Sequence, residues 1–175
     1  MSKAQKSWSG MRKYLEKEML AESLKGRVSY FCSTFVGMDG CGMFAVKVDN
    51  VPVKQFSMET IASSEYSGGK PVSMPEYWKG YWAEKKNTSL EDRQEFDDVE
   101  FADALQQYRE ISIDKSLASA NPIVRMFAIL DRRVGKRTLE KITGIMNEQP
   151  EWLQFFYKLR MDAESIPCDI KNDTE

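Results

Sequence analysis

The chain has no histidine. That absence removes the usual general base near neutral pH, the serine–histidine and cysteine–histidine nucleophile couples, and the commonest zinc ligand. Cysteine is scarce as well: Cys32, Cys41 and Cys168 are too few and too irregularly spaced for a disulfide framework or a zinc site. If strands at residues 28–36 and 43–48 pair across the glycine-rich loop, Cys32 lies opposite about Lys47. A bridge to Cys41 is then not expected, and the thiols are expected free and buried. Apolar runs stay far below the roughly 18 residues of a membrane span, and the basic N-terminus is not followed by the apolar core of a signal peptide. These two absences point to a cytoplasmic protein with no membrane association. Net charge is small, −2, so the whole molecule has no strong bias toward nucleic acid or acidic membranes. No nucleotide fingerprint is present. The faintest trace of a phosphate loop, Gly135-Lys136-Arg137-Thr138, has Leu130 at the position that requires a glycine, and no strand precedes it.

What is present is the composition of an ordinary globular chain, 42% hydrophobic, 30% charged and 11% aromatic, which argues against wholesale disorder. At 175 residues a single domain over 1–175 is expected, burying roughly 70% of the surface of its extended chain. No disulfide or metal is needed to hold a core of that size.

The strongest local pattern lies at 121–163. Asn121 can accept from an orphan amide and Pro122 has its ring-fixed φ at the first helical turn, so a helix starts there. Ile123, Met126, Phe127, Leu130 and Val134 recur on one face up to the break at Gly135. Leu139, Ile142 and Met146 predict a second helix, weakened at Gly144 and ended near Asn147. Pro150 opens a third, with Trp152, Leu153, Phe156, Leu159 and Ala163 as its apolar stripe. Short connections favour antiparallel neighbours around one core.

Earlier in the chain, Trp8, Met11, Leu15, Met19 and Leu24 predict one helix over about 7–25, with Gly26 just beyond it. The period then changes to two. Residues 27–36 and 43–48 are expected as strands, Asp49-Asn50 as a tight turn tolerant of positive φ, and 51–56 as a third strand whose Pro52 belongs on an edge. Residues 59–90 form a loop and aromatic segment, in which a short helix from Pro75 to Lys86 carries Tyr77, Trp78, Tyr81 and Trp82. Phe101, Leu105 and Tyr108 give a helix over about 98–110, a short helix follows near 113–118, and 166–175 is expected as a disordered tail. The fold class that emerges is α+β: an N-terminal helix and three-stranded antiparallel meander (7–58), then a C-terminal helical half (91–165) packed on the sheet.

Three clusters have chemical potential. Tyr77, Trp78, Tyr81 and Trp82 form either a core plug, the commoner fate of such a cluster, or a partner-binding patch, since aromatics concentrate in interface hot spots. Arg125, Arg132, Arg133, Lys136, Arg137 and Lys141 stand against only Asp131 and Glu140, a local excess of four positive charges suited to phosphate or an acidic partner. Internal pairing with the acidic segment 89–114 is the competing use of those cations. Asp97, Asp98 and Glu100 are oxygen ligands of the kind that suit a hard cation, although acidic residues at a helix start more often sit in solvent and favour the dipole.

Ser23-Leu24-Lys25-Gly26-Arg27-Val28, the Phe56-Ser57-Met58 end of the hairpin, Asn121-Pro122 through Leu130-Asp131-Arg132-Arg133-Val134-Gly135-Lys136-Arg137, and Pro150-Glu151-Trp152 with Tyr157 and Leu159-Arg160 together resemble a family of small bacterial cytoplasmic proteins with no assigned activity. The Leu130–Arg137 piece is the most specific. Residues 61–88 match nothing in that pattern, and relatives have more charge where this chain has Gly37 to Gly42. The resemblance implies a bacterial cytoplasmic setting and transfers no functional residue. Expected function is therefore a non-enzymatic protein-interaction protein, adaptor or inhibitor-like. A nucleic-acid-associated protein using the basic helices and an enzyme with a carboxylate or metal site are the alternatives. No cofactor is expected, and oligomeric state is not set by these residues.

Overall fold

The computed structural model describes residues 7–34, 42–58, 60, 73–168 and 170, without the side chains of 34, 74, 77, 81 and 84. The central element is α5, Pro122–Leu130, all nine of whose residues are buried. It starts as its sequence dictates: the Asn121 side chain accepts from the Ile123 N–H at 3.0 Å, and Pro122 opens the first turn. A helix apolar on every side must be enclosed on every side. The enclosing elements are α3 (Asp98–Glu110), α4 (Ile113–Leu117), α8 (Glu151–Ala163) and, beyond α3, the sheet.

The sheet is an antiparallel meander in the order β1 (Val28–Thr34), β2 (Gly42–Val48), β3 (Val51–Phe56). Asp49 and Asn50 have φ of 50° and 68°, the left-handed pair of a tight hairpin turn, and Pro52 is on the edge strand as expected. A bulge between Val46 and Lys47 slips the β2–β3 register, so Val46 faces Lys54 while Lys47 faces Pro52. The outer edge of β1 is closed at Tyr30, whose N–H donates to Glu16 Oε1 at 2.9 Å.

One face of the sheet meets the helices through aromatic rings. Phe101 of α3 stacks on Phe44 at 4.6 Å between centroids and meets Phe56 at 4.7 Å and Phe127 at 5.5 Å. Tyr108 and Tyr30 approach Phe127 from two further sides, at 5.2 and 6.0 Å. Lys54 also points inward. It is buried, donating from Nζ to the Gln94 carbonyl at 2.5 Å and to Glu95 at 2.8 Å, and so fastens the approach to α3 against the edge strand.

Several local expectations are corrected. The first helix is not one α-helix over 7–25. It is α1 (Trp8–Lys13), then a π-helical stretch (Tyr14–Met19), and the chain leaves the helix at Leu20 before a 3-10 turn at Glu22–Leu24. The cause is tertiary: Ala21 N–H donates to the Leu130 carbonyl and Arg132 N–H to the Met19 carbonyl, drawing Leu20 into an antiparallel bridge with Asp131. The same bridge ends α5 at Leu130, four residues before Val134. The second C-terminal helix is broken at Ile142 into α6 (Lys136–Lys141) and α7 (Thr143–Met146). Cys32 lies opposite Phe44, three residues from the expected register, because the β1–β2 pairing is centred earlier in the chain. Cys32 and Cys168 are free but half-buried rather than buried. Finally, Ile166 and Ile170 are buried against the core, which removes them from the expected tail. The expected loops at 37–41 and 61–72 lie outside the described residues.

Candidate functional site

The aromatic helix forms as α2, Met74–Asn87. Among its described side chains, Trp78 is half-buried and Trp82 is 60% exposed, so Trp82 is not a core plug. The side chains of Tyr77 and Tyr81 lie outside the described residues. Pro75, Lys79, Trp82 and Lys86 follow one another at four-, three- and four-residue spacing and are all exposed, which makes one outward stripe with an indole between two ammoniums. Lys85 holds this helix to the rest of the chain. Its Nζ lies 2.6 Å from Asp97 Oδ2 and 3.8 Å from Glu100 Oε1, at the start of α3. Leu90, in the turn between the two helices, and Val99, on the first turn of α3, are exposed apolar side chains on the segments that meet at this junction.

The acidic run is neither solvated nor a metal cage. Asp97 is 1% exposed and caps α3, accepting from the Glu100 N–H at 2.7 Å while Glu100 accepts from the Asp97 N–H at 3.0 Å. Glu100 is also bonded by Arg93, and Asp98 packs beside Gly42. Among the described residues, no group of three or more carboxylates or thiols can hold a metal.

The basic stretch divides into three parts. Arg125 is an internal strut: buried on α5, it bonds Gln149 and donates from Nη2 to the Ser119 carbonyl at 2.5 Å. Burial lowers its pKa, with Glu91 opposing. It is therefore not available to a phosphate. Arg133 is tied to Asp131, and Lys136 donates to the Glu164 carbonyl at 2.6 Å. Arg132, Arg137 and Lys141 are exposed with no ion pair among the described residues.

The arrangement that residue patterns did not disclose is the knot around Asp131. This carboxylate is 1% exposed. Its Oδ2 accepts from the Tyr108 hydroxyl at 2.5 Å and from Arg133 Nη2 and Nε at 2.6 and 2.9 Å; its Oδ1 accepts from the Arg133 N–H at 2.7 Å. From α8, buried Arg160 donates to the carbonyls of Leu130, Asp131 and Val134 at 3.3, 3.2 and 3.0 Å. Those carbonyls line the chain as it leaves α5, so Arg160 fixes its path. Burial beside Asp131 raises the Tyr108 pKa strongly, and the Asp131 hydrogen bonds raise that of Arg133. Both the Tyr108 hydroxyl and the Asp131 carboxylate are shut away from solvent. The knot joins α3, α5, α8 and the π-helical stretch. The sequence offered one clue: Leu130 to Arg137 was the most specific part of the family pattern.

A sequence model of the SF0329 protein family matches residues 7–161. The chain belongs to that family. The span shared with SF0329 proteins runs from α1 almost to the end of α8, and so includes the junction of α2 with α3 and every side chain of the Asp131 knot. No curated protein and no solved structure matches the chain. Among the described residues, no helix is long and apolar enough to cross a membrane.

Proposed function

We propose that this SF0329 protein is a non-enzymatic, cytoplasmic protein-interaction protein, adaptor or inhibitor-like, that binds its partner through the outward stripe of α2. The observation that carries the reading is Trp82, 60% exposed and flanked by exposed Lys79 and Lys86. An indole is the side chain most enriched at binding hot spots, and flanking ammoniums steer it toward opposite charge. The fitting partner presents an apolar pocket edged by carboxylates. Leu90 and Val99 extend the apolar area across the junction. Support also comes from elimination: Asp97, Glu100, Asp131 and Arg125, the groups suited to a carboxylate or phosphate centre, are all engaged inside the fold.

The test is affinity capture from a lysate of cells that make the protein, comparing the unmodified chain with Trp82→Ala and with the double variant Lys79→Glu/Lys86→Glu. A stoichiometric protein that survives nuclease and is lost with both folded variants supports the reading. Retention of all captured proteins by both variants refutes it.

A second reading rests on a different observation, the exposed Arg132, Arg137 and Lys141, which have no ion pair among the described residues. These cations suit the phosphates of a nucleic acid. Affinity for DNA or RNA that falls steeply with salt, and falls further in Arg137→Ala/Lys141→Ala, is expected on this reading; absent or salt-insensitive binding excludes it.

A further inference from the structure

The outward stripe of α2 has a counterpart on α3. Lys79 and Lys86 are exposed on α2, seven residues apart, and neither makes an ion pair among the described residues. Asp103 and Glu110 are exposed on α3, also seven residues apart, and they too make no ion pair among the described residues. Glu110 accepts only from the neighbouring Gln106 side chain. Seven residues are about two helical turns, or roughly 10 Å, so each pair lies along one face of its helix and the two spacings match. Between the lysines is Trp82, 60% exposed; one turn before Asp103, on the same face, is Val99, 59% exposed. One helix thus presents an indole between two ammoniums, and the other an apolar side chain beside two carboxylates. Lys85, in the last turn of α2, holds Asp97 at the cap of α3, so the two helices are joined at one end.

We infer that the partner of the α2 stripe is a second copy of this chain, with α2 of each copy lying along α3 of the other about a two-fold axis. This rests on the reading of α2 as a binding surface and names what it binds. An isologous contact requires one surface to be complementary to itself, and a chain that has both the basic and the acidic stripe meets that requirement. The contact is made twice: Lys79 and Lys86 of each copy meet Asp103 and Glu110 of the other, and the equal spacing lets both pairs form together. Trp82, midway along its stripe, is covered between them. Each exposed ion pair is weak, so association depends on the four acting at once and falls with salt. Two helix faces about 20 Å long make a small interface, and the dimer is reversible.

Analytical ultracentrifugation of the purified full chain, at concentrations up to about 1 mM, tests this. A monomer–dimer equilibrium that weakens with added salt is expected. Two charge-reversed chains, Lys79→Glu/Lys86→Glu and Asp103→Lys/Glu110→Lys, should each self-associate more weakly by about tenfold or more, since every pair across the axis becomes like-charged. Mixed together, they should form a heterodimer, because both contacts are again between opposite charges; that rescue also shows that both chains are folded. An unmodified chain that stays monomeric throughout, a dimer that survives either reversal, or a mixture that does not associate overturns the inference. The reading of α2 fails by a different result: a monomeric chain whose Trp82→Ala variant still loses a captured protein overturns self-association alone.

Discussion

Removing the Asp131 carboxylate tests the knot most directly. In Asp131→Ala, the Tyr108 hydroxyl loses its acceptor while the residue stays 2% exposed. Stranding that hydroxyl costs about 1–3 kcal/mol. The Arg133 side chain is 44% exposed, so its guanidinium rehydrates, and the lost ion pair adds only about 0.5 kcal/mol. The Arg133 N–H to Oδ1 bond, which fixes the chain just after α5, adds about 1 kcal/mol more. A total of about 3 kcal/mol follows for Asp131→Ala, against about 1 kcal/mol for Tyr108→Phe, which leaves Asp131 held by Arg133. The decisive quantity is the coupling between them. In the Tyr108→Phe background no hydroxyl is left to strand, so Asp131→Ala costs less by about 1–2 kcal/mol. Urea unfolding followed by fluorescence of the four tryptophans measures all corners of this cycle. Strict additivity of the two substitutions would refute the view that Tyr108 and Asp131 form one unit.

Alkaline pH should unfold the protein through its buried phenols. Tyr30 and Tyr108 both have pKa values raised above the ordinary 10.0, chiefly by burial. Their stabilisation is complete below that value and is lost as pH rises beyond it, because the unfolded chain ionises first. Each phenol that ionises only in the unfolded chain lowers the unfolding free energy by about 1.36 kcal/mol per pH unit above pH 10; burial raises Tyr157 and Tyr14 in the same sense, so Tyr108→Phe should make the slope shallower by about 1.36 without abolishing it. Buried Lys54, whose pKa burial lowers, acts in the opposite sense up to its ordinary 10.5 and leaves the tyrosine slope exposed above it. Denaturation at a series of alkaline pH values checks both slopes, and equal slopes in the two proteins would count against the assignment. Asp97→Ala removes the cap of α3 and leaves Lys85 and the Glu100 N–H without it, so a loss of about 2 kcal/mol or more is expected in thermal or urea unfolding. Asn50→Val puts a β-branched side chain at φ 68° and should cost about 1–2 kcal/mol, whereas Asn50→Gly should be neutral or stabilising. Trp82→Ala should change stability by no more than about 0.5 kcal/mol, as expected for a surface position, which makes it a clean variant for the binding experiment.

Much of the fold was legible because short-range physics dictates it. Asp98–Glu110 as a helix, Asn121-Pro122 as a helix start, Asp49-Asn50 as a positive-φ turn and Pro52 on an edge each follow from a side chain acting on its own backbone within a few residues. The candidate site was legible only in part. The spacing of Lys79, Trp82 and Lys86 is printed in the sequence, but the same spacing serves a core stripe equally well, and the direction in which the indole points depends on how Lys85 docks α2 against Asp97. Arg125 and Arg132 look alike in sequence; one is enclosed between Gln149 and the Ser119 carbonyl, the other is in water.

The amino-acid sequence by itself determined the α+β class, the meander, the starts of the helices, and the exclusion of histidine-dependent chemistry. Tertiary structure alone decided where the first helix and α5 end. The first helix stops at Met19 and α5 stops at Leu130 because each satisfies the other's backbone groups across the Leu20 to Asp131 bridge. Asp131 became a buried anchor by the same long-range pairing. The partners in those hydrogen bonds are separated by more than a hundred residues, and no periodicity read along the chain contains the free energy of their meeting.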